Sequence, residues 1–111
     1  MSYNYNDILF FNVTYDDGKG SKPRPALILS EKDNIIKFYK ITTKYDDKSE
    51  TIKKQYFEIL EYEEAGLYRK SYVDTVQLKT EDISEYNIKV IGQLTEKDTA
   101  RLAVFLENKK P

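Results

Sequence analysis

The chain has 111 residues, a net charge of −1, 40% apolar and 33% charged residues, and neither cysteine nor histidine. Its length fits one domain, spanning 1–111, with a real core, and its composition is ordinary for a soluble globular protein with no membrane-spanning run. The missing thiol and imidazole exclude disulfides, thiolate zinc sites, thiol nucleophiles and the commonest catalytic base. The opening MSYNYNDILFF lacks the features of a signal peptide, which with the absent cysteines reads as a cytoplasmic protein.

In chain order, NDILFFNVTY (6–15) is rich in β-branched and aromatic residues and predicts a first strand. DDGKGSKP (16–23) collects turn formers and reads as a mobile loop. PALIL (25–29) predicts a short strand buried on both faces, with NIIKFYKITT (34–43) as its antiparallel neighbour across SEKD (30–33). YDDKSETIKK (45–54) reads as a charged connection, QYFEIL (55–60) as a further hairpin strand, and EYEEAG (61–66) as a helical turn stopped by Gly66. SYVDTVQL (71–78) and IKVIGQL (88–94) predict two more strands. A closing helix starts at the N-cap Thr95, with Asp98 supporting its first turn and Ala100, Leu102, Ala103, Phe105 and Leu106 facing a core. The whole predicts a mainly β domain, a small, strongly bent sheet or open barrel with one C-terminal α-helix. Ten tyrosines fit sheet packing, with base stacking by one or two as the alternative.

Charge is unevenly spread. Residues 18–45 carry seven Lys/Arg against two acids, whereas 61–86 carry seven acids against three bases. Two solvated faces would account for this, and so would an anion site early in the chain. The net charge argues against a sequence-independent duplex binder. Within the basic region, Arg24 stands between Pro23 and Pro25. Proline fixes its own φ and pushes the preceding residue into extended conformation, so the guanidinium is held stiffly at a strand mouth. Its planar fork suits a phosphate; a surface pair with an acid such as Asp16 is the other reading.

NDILFF, GKGSKPRPALILS, NIIKFYKITT, AGLYRKSYVDTVQL and IKVIGQLTEKD resemble, in order and over nearly the whole chain, the PemK/MazF family of toxin endoribonucleases. The resemblance implies an SH3-like antiparallel β-barrel of the CcdB/MazF type. It implies a homodimer that cuts single-stranded RNA sequence-specifically without metal or other cofactor, and a cognate antitoxin whose disordered tail occupies the RNA groove. Carried over, the arginine of the RP motif and the first threonine of the TT pair make Arg24 and Thr42 the catalytic residues. Gly18, Gly20, Ser21 and Lys22 match the substrate-gating loop; Pro25, Thr43, Asp74 and Gln77 complete the expected substrate contacts. RNA supplies its own nucleophile, the 2′-OH, so this chemistry does not require histidine.

The sequence departs from the pattern where some members carry an Arg-x-Asp pair: Asp74 and Val76 occupy those positions. Asp74 is then a substrate contact or a solvent-facing strand carboxylate, and Thr42 a catalytic group or one more β-branched strand residue. A non-catalytic CcdB-like module, for example one targeting gyrase, or a non-toxic dimeric relative, are the competing expectations.

Overall fold

The computed structural model describes residues 3–14 and 18–109. Eight elements follow one another: β1 (Asp7–Thr14), β2 (Ser21–Lys32), β3 (Ile35–Thr42), α1 (Glu50–Lys53), β4 (Tyr56–Ile59), β5 (Ser71–Asp82), β6 (Lys89–Gln93) and α2 (Glu96–Lys109). The strands form one six-stranded antiparallel sheet in the order β4-β5-β3-β2-β1-β6. β4 and β6 are its unpaired edges, so the barrel is open. Among the described residues no helix is long and apolar enough to cross a membrane.

The β2–β3 hairpin turns on Asp33 and Asn34, with φ of 52° and 68°. Two consecutive positive φ values are the geometry whose twist matches that of the flanking strands. Asn34 thus belongs to the turn, one residue beyond the expected SEKD connection. β2 also starts earlier than expected, because Ser21, Lys22 and Pro23 already pair with Thr14, Val13 and Asn12. Tyr15, Asp16 and Asp17, the end of the expected first strand and the start of the loop, lie outside the described residues.

Burial on both faces of β2 follows from its central place. Leu27 points into a cluster with Ile8, Ile41, Phe57, Val73 and Leu102, whereas Ala26 and Ile28 join Leu9, Phe11, Ile36 and Phe38 on the other side. QYFEIL pairs with β5, because β5 inserts between it and β3. The charged connection holds a short helix, α1, whose N-cap Ser49 accepts a hydrogen bond from the Ile52 amide at 3.3 Å.

The turn at 61–66 ends as predicted. Leu67 N–H donates to Tyr62 C=O and Gly66 N–H to Glu63 C=O, with Gly66 at φ 92°, a Schellman closure. This turn then crosses to β6, where Gly66 and Gly92 let the two backbones meet. The contact sets the turn after β4 against β6, although no strand ladder joins those two edges.

Thr95 caps α2 by accepting the Asp98 amide at 3.3 Å. The inward stripe differs from the expected one: Leu102 is buried and Phe105 and Leu106 half-buried, but Ala100 and Ala103 are exposed. The stripe is completed by Asp98, which is fully buried. Its carboxylate accepts the amides of Leu60 and Glu61 and the Arg101 guanidinium, so it binds a neighbouring segment as well as standing in the first turn.

Candidate functional site

β2 and β3 run together only as far as the pair Ala26 and Lys40. Beyond it β2 stays with β1, pairing Arg24 to Phe11, and β3 stays with β5, pairing Thr42 to Tyr72. Directly opposed residues share a sheet face, and side chains alternate along a strand. Arg24 and Thr42 therefore lie on one face, each two residues past the last shared pair, at the mouth where the strands part. The same rule adds Lys22, Lys40, Lys79 and Asp74 to that face, so three of the seven bases of residues 18–45 meet there with Lys79.

Arg24 is half-buried, and no side-chain hydrogen bond or ion pair joins its guanidinium to another described residue. Thr42 accepts the Lys44 amide at its hydroxyl at 3.1 Å, which orients the oxygen and leaves the hydroxyl proton for an incoming acceptor. Asp74 is more enclosed than a solvent-facing carboxylate. One oxygen accepts the Val76 amide at 3.0 Å, and the other lies 3.8 Å from Lys40 Nζ.

The remaining sequence-derived candidates separate. Pro25 lies on the reverse face because it alternates with Arg24; with Thr43 it lines a depression of about 590 Å³ together with Phe10, Arg69, Ser71 and Lys89. Gly18, Gly20 and Ser21 line a cavity of about 1000 Å³ with Phe11, Tyr86 and Lys89. Gln77 sits on an outward excursion of β5, where Thr75–Leu78 face Tyr39 alone between the pairs Phe38–Lys79 and Lys40–Asp74; Val76, Gln77 and Leu78 are exposed.

The excursion is anchored at its root. Thr75 Oγ1 donates to Gln55 C=O at 2.6 Å, and Lys109 Nζ donates to Thr75 C=O and Oγ1 at 2.8 and 2.7 Å. Burial lowers the Lys109 ammonium from its ordinary value, with the Asp74 carboxylate opposing. Lys110 and Pro111, the last residues of the LENKKP tail, lie outside the described residues.

Aromatic groups flank the mouth. Tyr72, beside Thr42, stacks on Tyr45 at 4.3 Å with planes 6° apart, and Lys53 Nζ sits 5.1 Å from the Tyr45 ring centroid. Lys70 pairs with Glu58 at 3.5 Å, and Glu58 first, then Tyr72, raises its ammonium above the ordinary value. Lys40, Lys79, Tyr72 and Tyr45 were not singled out by the sequence. For Lys40 the signal was present: it is two residues before Thr42 on a strand, hence on its face. No group of three or more carboxylates among the described residues is arranged to hold a metal ion.

No protein-family model matches the sequence, and no curated protein sequence does. Solved structures do match in shape. MazF in two MazE–MazF crystal forms from Deinococcus radiodurans superposes with a TM-score of 0.67 in each, at 15% and 16% identity, covering 97% of this chain and 95% of the other. The Mycobacterium tuberculosis toxin MazF-mt6 gives a TM-score of 0.63 at 20% identity, covering 89% of this chain and 92% of that one. The chain has the MazF fold.

Proposed function

We propose that this protein is the toxin of a toxin–antitoxin pair, an endoribonuclease that cuts single-stranded RNA at specific sequences by attack of the 2′-OH on the adjacent phosphate. The observation that supports it best is the parting of β2 and β3, which sets Arg24 and Thr42 on one face of a MazF-like sheet. Attack forms the 2′-O–P bond and breaks the P–O5′ bond, the 2′-OH proton passing to solvent water and the departing O5′ taking one from it, which leaves a 2′,3′-cyclic phosphate and a 5′-OH. Negative charge grows meanwhile on the non-bridging oxygens, where a bidentate guanidinium is effective. The Thr42 hydroxyl donates to one of these oxygens and fixes the phosphate for in-line attack. Neither role needs a metal ion.

Gly20, Ser21 and Lys22 extend the RNA path at the start of β2; Pro25 and Thr43 receive a base on the reverse face, and Gln77 meets the strand at the β5 excursion. A homodimer in the cytoplasm, silenced by an antitoxin whose disordered acidic tail competes for the basic face, completes the reading. The Mycobacterium neighbour is a toxin and the Deinococcus neighbours are found with MazE, which favours such a pairing.

Incubation of the purified protein with a long single-stranded RNA in EDTA, beside Arg24→Ala, tests this. Discrete cuts by the parent alone are expected. Uncut RNA from a folded parent overturns the ribonuclease and leaves the CcdB-like binding module.

A further inference from the structure

We infer that Lys40 holds a second phosphate of the bound RNA, next to the one placed against Arg24 and Thr42, and that Asp74 gates Lys40 instead of touching substrate. This rests on the RNA-cutting reading above. Alternate residues of a strand lie about 7 Å apart on the same face, so a backbone laid along β3 from Thr42 next meets Lys40. Across β2 the opposing residue is Ala26, whose short side chain is buried and puts no bulk between Lys40 and the Arg24 mouth.

Asp74 stands opposite Lys40 on β5. At 3.8 Å the two balance charge without a short hydrogen bond, while the other Asp74 oxygen is committed to the Val76 amide. Lys109, anchored on Thr75, brings a second ammonium group whose charge Asp74 also stabilises. When Lys40 swings to a phosphate, the carboxylate therefore keeps a cationic neighbour and its backbone donor. A buried carboxylate losing its only partner would resist that move.

The test measures binding of a random-sequence 2′-O-methyl RNA pool, which lacks the nucleophile, at several salt concentrations. The proteins are the parent, Arg24→Ala, Lys40→Gln, Lys40→Arg, Asp74→Asn and the double variant Lys40→Gln/Asp74→Asn. Loss of one phosphate contact lowers the slope of log affinity against log salt by about 0.7, and because the Lys40 side chain is only 15% exposed its loss is expected to cost at least the roughly fivefold in affinity of an exposed charge contact. Lys40→Gln and the double variant are expected to show both losses, Lys40→Arg to restore binding, and Asp74→Asn to bind more tightly than the parent. The double variant, which removes both members of the Lys40–Asp74 pair and so leaves no lone carboxylate there, stands in should Lys40→Gln fail to fold. Parental affinity and slope in the double variant, with Arg24→Ala weakened, overturn the Lys40 subsite alone. A parent that binds no RNA, or an Arg24→Ala protein that binds like the parent, overturns the ribonuclease reading itself.

Discussion

A Cβ added to Gly92 would lie 1.8 Å from the carbonyl oxygen of Ala65. That oxygen belongs to backbone fixed by the Schellman closure at Gly66, so it cannot swing aside as a side chain would. Gly92→Ala is expected to destabilise the fold by about 3 kcal/mol, because overpacking here separates β6 from the crossing turn. Gly18→Ala provides the contrast: nothing lies within 4 Å and only its φ of 73° is unfavourable, a cost of about 1 kcal/mol. Urea midpoints of the two variants should differ accordingly.

Asp98 ties α2 to the segment after β4 through two backbone amides, Glu61 N–H at 2.8 Å and Leu60 N–H at 3.3 Å. Asp98→Ala strands these two donors and removes the Arg101 ion pair, leaving the guanidinium its bond to the Glu58 carbonyl, at about 3 kcal/mol. Thr95→Ala removes the cap and the partly buried hydroxyl bond to Glu61 but leaves no buried charge unpaired, at about 1–2 kcal/mol. Chemical denaturation that ranks Thr95→Ala as the costlier change would contradict this account of the helix.

Thr42 separates shape from chemistry. Thr42→Val keeps the β-branched form but has no hydroxyl, and is expected to slow RNA cleavage about 100-fold while changing stability by about 0.5 kcal/mol. Thr42→Ser should retain most of the rate. Single-turnover cleavage by the two variants decides whether the oxygen, not the strand propensity, is what the site needs.

Asp82 carries the acid dependence that is easiest to isolate. Its carboxylate accepts the Ser84 amide at 3.0 Å and hydroxyl at 2.7 Å, which hold it below the ordinary carboxylate value of 3.8. A folded-state value below the unfolded one means that the stabilisation is present above 3.8 and lost as pH falls through the folded value. The group is exposed, so the effect is small. Ser84→Ala should flatten the fall in unfolding midpoint between about pH 5 and about pH 2 relative to the parent.

Much of this architecture was written locally. Apolar residues 26–28 announced a strand buried twice, Thr95 announced a helix start, and Gly66 a helix stop, because caps, turns and alternation act within a few residues of their cause. α1 escaped notice because one turn of helix has no apolar stripe to display.

What the amino-acid order determined by itself was the set of strands, the terminal helix and a stiffly held arginine near a threonine pair. Only the tertiary structure decided which strands became neighbours, and with that which residues met. The insertion of β5 between β3 and β4 placed Asp74 against Lys40 and Tyr72 beside Thr42. The parting of β2 from β3 opened the mouth that Arg24 and Thr42 share on one face, while Pro25 and Thr43 line a separate depression. Alternation is a property of one strand, but the partner across the ladder is chosen by contacts distant in sequence, and a site assembled from several strands inherits that choice.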